Sequence, residues 1–259
     1  MAGKSPSGRF VWYELLTTDP QAAQSFYTDV VGWSTAPFEQ SEIPYTMWMN
    51  GEAPVGGVMA LPQEACDQGA SPHWMAYVAV DDVDAIAKKA EKLGASVLVE
   101  PQDIPNVGRF AVLQDPQGAA IAIIRGEQEM PPAGEPQVGQ FSWHELATTD
   151  HEAALAFYSE LFGWSESEAV DMGEMGTYQM YNRGDRMLGG MFNKSDDMPG
   201  PPAWLYYTSV GDIDKTVEKV RANGGQVMNG PMEVPGGDMI AQCMDPQGAV
   251  FAVHARNGG

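Results

Sequence analysis

Only two cysteines, Cys66 and Cys243, occur in 259 residues. They fall in different halves, and no histidines accompany them at zinc-ligand spacing. Nothing supports a disulfide framework or a structural zinc site, and the expected setting is the reducing cytoplasm. Long apolar runs are also missing. None approaches the roughly 18 residues that a membrane span requires. The first residues, Met1-Ala2-Gly3-Lys4, lead into no apolar run and read as neither a signal peptide nor a lipidation site. Basic residues are few: 14 against 35 acidic ones, a formal net charge of -21. A field of that sign repels nucleic acid and anionic membranes, so neither is an expected partner. The acids are spread along the chain, which suits solubility. The same field would attract a cationic ligand. No Gly-x-Ser-x-Gly elbow occurs. The pairs Gly56-Gly57 and Gly224-Gly225 match no phosphate-binding pattern and read as turns, helix ends and close strand packing.

What is present is a repeat. Residues 8–19 read GRFVWYELLTTD and residues 139–150 read GQFSWHELATTD, with eight of twelve positions identical. At the same offset of 131 come Phe26-Tyr27 with Phe157-Tyr158, then Gly32-Trp33 with Gly163-Trp164. Gly56-Gly57 and Gly189-Gly190 follow, then Trp74-x-x-Tyr77 and Trp204-x-x-Tyr207. Identical pentads close the copies, at Asp115-Pro116-Gln117-Gly118-Ala119 and Asp245-Pro246-Gln247-Gly248-Ala249. The stretch between the copies holds Pro131, Pro132, Gly134 and Pro136 and reads as an extended linker. The expected domains are 1–127 and 137–259, joined by 128–136.

Each copy divides again. Phe10 to Thr17 is a strand. A helix follows Asp19, a plausible N-cap, with Ala22, Phe26 and Val30 at helical spacing, and Gly32 ends it. Three short strands come next, near 33–38, 45–50 and 55–61. The pattern restarts with a strand from His73 to Val80, a helix opened by Asp82 and stopped by Gly94, and strands near 96–100, 109–114 and 120–124. The second copy repeats the plan, with helices near 151–162 and 212–223. The chain is therefore an α+β protein of four β-α-β-β-β modules. The two modules of each copy are expected to join in one curved eight-stranded cup with helices outside. The inner face of such a cup suits a small molecule.

In order and spacing, these residues resemble the vicinal-oxygen-chelate group, the glyoxalase, bleomycin-resistance and extradiol-dioxygenase proteins. The resemblance rests on the opening strand before Asp19, Phe26-Tyr27 with Gly32-Trp33, the restart Val80-Asp81-Asp82-Val83-Asp84, and the turn Asp115-Pro116-Gln117-Gly118. It covers nearly all of both copies. Metal-using members hold a divalent cation on His, Glu or Gln side chains. An open position on such a cation polarises the substrate's oxygens. Counted from the anchors, the corresponding positions are Tyr13 and His144, Met75 and Leu205, and Ala122 and Ala252. The remaining position falls near 57–59 and 190–192, where no ligand side chain stands. A site of this kind needs at least three ligands. No bound metal is expected, although zinc, nickel, manganese or iron is the family's alternative, with His144 the sole candidate ligand.

The same register puts Tyr13, Met47, Met49, Met75 and Tyr77 on the wall of a first cup. It puts His144, Met180, Leu205, Tyr207 and His254 on the wall of a second. His144 and His254 would then approach each other. Methionine and aromatic side chains make adaptable apolar walls with polar tips, and they equally suit simple core filling. Glu14 and Glu145 stand in identical Trp-x-Glu-Leu settings and face the helices in this register, although a shift of one residue would turn both into the cups. Glu145 and His144 are the candidate catalytic groups, with Glu145 a general base if it reaches substrate. Two functions remain open. One is a small-molecule binder of the bleomycin-resistance kind that takes an aromatic or cationic ligand without metal. The other is a metal-dependent lyase, isomerase or dioxygenase of the glyoxalase type, active in the second copy. Four modules complete two cups in one chain, so a monomer is as feasible as a homodimer.

Overall fold

The computed structural model describes residues 6–257 except 42, 68, 128–133 and 196. Most of the expected linker, 128–133, lies outside the described residues. The first copy runs β1 (Phe10–Thr17), α1 (Pro20–Val31), β2 (Ser34–Pro37), β3 (Tyr45–Asn50) and β4 (Ala53–Ala60). A short α2 (Gln63–Asp67) leads to β5 (His73–Ala79), α3 (Val83–Lys92), β6 (Ser96–Ile104), β7 (Gly108–Gln114) and β8 (Ala120–Gly126). The second copy runs β9 (Phe141–Thr148), α4 (His151–Phe162), β10 (Ser165–Asp171), β11 (Thr177–Arg183) and β12 (Arg186–Asn193). It closes with β13 (Ala203–Ser209), α5 (Ile213–Ala222), β14 (Gln226–Glu233), β15 (Met239–Met244) and β16 (Val250–Ala255).

Each copy makes one open eight-stranded sheet, with order β2-β3-β4-β1-β5-β8-β7-β6 in the first and β10-β11-β12-β9-β13-β16-β15-β14 in the second. The helices start where the sequence signals them. Asp19, Asp82, Asp150 and Asp212 each accept a hydrogen bond from the backbone three residues on, satisfying a donor that the first turn leaves open. Gly32 and Gly163 end α1 and α4 in the left-handed conformation, which costs glycine nothing.

The chain packs as two compact units, and these cut across the copies. The first gathers the described residues of 1–11, 76–134 and 143–204. The second gathers those of 12–75, 135–142 and 205–257. Each unit therefore combines the leading module of one copy with the trailing module of the other. The repeated motifs hold them together. In the first unit, Tyr158 of α4 donates to Asp115 Oδ2 at 2.9 Å and accepts from Trp204 Nε1 at 3.2 Å. In the second, Tyr27 of α1 donates to Asp245 Oδ2 at 3.1 Å and accepts from Trp74 Nε1 at 2.9 Å. The other oxygen of each aspartate closes the Asp-Pro-Gln-Gly-Ala turn by accepting from its backbone N–H groups. Around each tyrosine lie tryptophan rings: Trp33, Trp48 and Trp74 at Tyr27, and Trp164 and Trp204 at Tyr158. These rings are buried and fill the helix side of each unit.

Candidate functional site on the helix-free sheet faces

Strand alternation decides which side chains reach the face away from the helices. In the second unit Trp48 of β3 packs on Tyr27 of α1, so Trp48 marks the helix side. Met47 and Tyr45 lie on the opposite face. Met47 is paired with Gly57 of β4, and Gly57 with Glu14 of β1. Glu14 is therefore on the helix-free face. Its neighbour Tyr13 is on the helix side, where its ring stacks on Phe141 at 3.7 Å and meets Tyr206 edge-on at 5.8 Å. This is the reverse of the register expected from the sequence. A one-residue slip in counting from the Asp anchor exchanges the two faces.

The first unit repeats the arrangement. Met180 pairs with Gly190 and Gly190 with Glu145, which places Glu145 on the helix-free face. His144 is turned to the helix side. It stacks on Phe10 at 3.9 Å, and Phe10 in turn touches Trp164 and Trp204. Its Nδ1 lies 2.6 Å from the Leu188 carbonyl. Burial holds the imidazole neutral, with its pKa pushed down to about 3; the Leu188 carbonyl opposes that shift, and Arg186 adds to it. In that state Nδ1–H is the donor to Leu188. His144 is thus packed in an aromatic stack, and the wall position expected for it belongs to Glu145.

On each helix-free face the same three side chains meet. In the first unit Trp143 Nε1 donates to Tyr178 Oη at 2.8 Å, and Tyr178 donates to Glu145 Oε2 at 2.9 Å. In the second, Trp12 Nε1 donates to Tyr45 Oη at 2.8 Å, and Tyr45 is hydrogen-bonded to Glu14. Burial, reinforced by the Glu14 charge, drives the Tyr45 pKa far up, so the phenol keeps its proton and remains a donor. Both glutamates are buried, at 8% and 9% exposure. A buried carboxylate is stable only when donors meet it, and the tyrosine supplies one. The glycine pairs explain how the tyrosines fit. A Cβ on Gly57 would lie 2.0 Å from Tyr45 Oη, and one on Gly190 would lie 2.0 Å from Tyr178 Cε1. Only a bare backbone lets these rings lie flat on the strand.

The other predicted wall residues are distributed by unit rather than by copy. Tyr77, His144, Glu145 and Met180 belong to the first unit. Tyr13, Met47, Met49, Met75, Leu205, Tyr207 and His254 belong to the second. His144 and His254 stand on strands of one sheet, β9 and β16, but fall in different units. Met75 and Tyr77 alternate with Trp74, which is on the helix side, so both take the helix-free face. Tyr77 lies 6.2 Å from Phe110. Leu205 and Tyr207 alternate with Trp204 in the same way, and Tyr207 Oη accepts from Gln242 Nε2 at 3.0 Å. Met49 lies beyond a bulge at Trp48/Met49. His254 lies between Ser142 and Asp238, 2.9 Å from each. Trp12, Trp143, Tyr45 and Tyr178 are not among the site residues expected from the sequence. Their signal was present in the repeated Trp-x-Glu-Leu and in Tyr-x-Met, which recurs before each glycine pair.

Among the described residues no three His, Cys, Asp or Glu side chains are grouped closely enough to hold a metal. Each helix-free face offers one glutamate already engaged by a tyrosine, surrounded by methionine and aromatic side chains. Such a face can bind an apolar or aromatic molecule and present a carboxylate and a phenol to its polar edge.

Comparison with known proteins agrees with the repeat. The family model described as "Glyoxalase/Bleomycin resistance protein/Dioxygenase superfamily" matches twice, over residues 9–123 and 140–253. CFP32 of Mycobacterium bovis, provisionally named a glyoxylase, is 35% identical over 249 residues, covering 93% of this chain and 92% of its own. The anthracycline biosynthesis protein DauV of Streptomyces sp. is 32% identical over 260 residues, covering 95% of this chain and 92% of its own. Two solved structures share the fold at 16% identity. The Mn(II)-bound glyoxalase from Novosphingobium aromaticivorans has a TM-score of 0.63 and covers 96% of this chain and 82% of its own. An extradiol ring-cleaving dioxygenase from B. fuscum has a TM-score of 0.68 and covers 99% of this chain and 75% of its own. Two family-model matches and full-length relatives on a doubled βαβββ plan mean that the chain belongs to the glyoxalase/bleomycin resistance protein/dioxygenase superfamily, as a tandem two-domain member.

Proposed function

We propose that the chain binds a small planar aromatic molecule on its helix-free faces, without a divalent metal. The observation that carries this reading is the repeated Trp–Tyr–Glu group, Trp12–Tyr45–Glu14 and Trp143–Tyr178–Glu145. It supplies an aromatic surface and one buried carboxylate where the family's chemistry would need several metal ligands. Methionines 47 and 180 flank it and adapt to ligand shape. The formal charge of -21 favours a ligand carrying a cationic group over an anionic one. The relative DauV is named for anthracycline biosynthesis, and a fused-ring aromatic compound is the ligand class that this name suggests here too. The alternative, a glyoxalase-type lyase, isomerase or dioxygenase, requires metal donors that the described residues do not group. A metal-free catalyst with Glu145 or Glu14 as general base is favoured over it by the Tyr–Glu hydrogen bond, which orients the carboxylate.

The experiment is titration calorimetry of the chelator-treated protein with an amino-substituted anthraquinone. Binding that weakens about tenfold or more in Tyr45→Phe/Tyr178→Phe supports the reading, because a buried acceptor then loses its donor. Binding that appears only after Zn, Ni, Mn or Fe is restored contradicts it and favours the metal enzyme.

A further inference from the structure

We propose that Ser142, His254 and Asp238 form a metal-independent acyl-transfer centre in the second unit, acting on small aryl esters. The three side chains are in line. Ser142 Oγ lies 2.9 Å from His254 Nδ1, and His254 Nε2 lies 2.9 Å from Asp238 Oδ2. The tautomer follows from the partners. Asp238 is kept ionised below the usual carboxylate range despite the opposing effect of burial, by the Asn257 N–H and by His254. A carboxylate can only accept, so Nε2 carries a proton toward Asp238, and in the uncharged form of the ring Nδ1 is the acceptor that faces the serine hydroxyl. The Ser142 hydroxyl also donates to the Tyr207 carbonyl at 3.2 Å, so activation requires its single proton to turn to Nδ1, the shorter contact at 2.9 Å. A serine hydroxyl within reach of an imidazole nitrogen whose ring an aspartate orients is the arrangement of an activated nucleophile.

The repeat supplies an internal control. The equivalent positions of the first copy are Val11, Ile124 and Gly108, which can form no such chain. Both copies build the same strands around these positions, so the polar trio is not a requirement of the fold. It is also within reach of solvent: the His254 and Asp238 side chains keep 15% and 35% of their exposure.

The step balances with water as the only co-reactant. Ser142 Oγ bonds to the ester carbonyl carbon while its proton passes to His254 Nδ1. The bond from that carbon to the aryl oxygen breaks, and the leaving oxygen takes the proton. Water then adds to the acyl-serine carbonyl, giving a proton to Nδ1. The carboxylic acid leaves as Ser142 oxygen recovers that proton.

The test uses the full chain and p-nitrophenyl acetate, with chelator present. The centre predicts a p-nitrophenolate burst of one equivalent per chain and an acetyl group on the peptide containing Ser142. Ser142→Ala removes both, and His254→Gln and Asp238→Asn each slow the burst by about tenfold or more. Near-ultraviolet circular dichroism establishes that each variant is folded, and Asp238→Asn stands in if the histidine variant is not. No burst from the wild type, acetylation elsewhere, or unchanged rates in folded variants would each overturn the assignment. None of these outcomes depends on anthraquinone binding, so this proposal and the ligand-binding one fail separately.

Discussion

At the residue scale, the space above Gly57 and Gly190 is already taken by tyrosine rings. An alanine at either position must displace Tyr45 or Tyr178, because its Cβ would lie 2.0 Å from Tyr45 Oη or Tyr178 Cε1. Gly57→Ala and Gly190→Ala are each expected to lower stability by about 1–3 kcal/mol, the usual cost of forced overpacking. Urea unfolding checks this, with Gly211→Ala as a substitution that meets nothing within 4 Å. Asp245 gives a second prediction. Its carboxyl pKa is raised, chiefly by burial. A raised folded pKa means that the folded state binds the proton more tightly. The stability gained by protonation is therefore complete below the unfolded value of about 3.9 and is lost as pH rises through the folded pKa. Asp245→Asn abolishes that titration. Relative to the wild type, the variant should lose ground steadily as pH is lowered from neutral toward about 4. Parallel curves of unfolding free energy against pH would contradict the assignment. The catalytic candidates were legible at this scale as residue types and not as directions. The repeat exposed Glu14 and Glu145, but the face on which a strand residue lies depends on a count that must be exact to one residue. Tyr13 and His144 were placed in the cups by that count, and the aromatic stacking with Phe141 and Phe10 puts them on the helix side.

At the element scale, the sequence carried most of the information. Aspartates opened the helices and glycines stopped them, and both signals are local. The strands at 10–17 and 45–50 and the helix at 151–162 are found as read. The short helix Gln63–Asp67 and the 3-10 turn Gly173–Met175 were not read, because neither carries enough periodic apolar residues. Caps of this kind have measurable weight. Asp150→Ala leaves the Ala153 N–H without its side-chain acceptor, now 3.0 Å away, and is expected to cost about 1 kcal/mol. Asp150→Asn, which keeps an acceptor, should cost much less. Equal losses would show that the carboxylate acts otherwise than as a cap.

At the scale of the whole molecule, modules pair across the copies. Tyr27 answers the Asp245 turn, and Tyr158 answers the Asp115 turn. Sequence could reveal four modules and two copies, but not which module completes which unit, since every copy carries both halves of the latch. A copy produced alone, residues 1–127 or 137–259, lacks the partner module of each unit. It should be either unfolded or a homodimer in light scattering, and a folded monomer would contradict the pairing. The pairing also decides what a ligand meets. In both units the leading module contributes Trp, Tyr and Glu, while only the second unit adds Ser142, His254 and Asp238.

The central claim is that these faces bind an aromatic ligand through the Trp–Tyr–Glu groups and need no metal. The most direct measurement is calorimetry of the metal-stripped protein with an amino-substituted anthraquinone, beside the Glu14→Gln/Glu145→Gln variant. Binding by the stripped wild type, weakened in the folded variant, is the predicted result. Binding that requires added divalent metal, or that is unchanged when both glutamates are replaced, would contradict it.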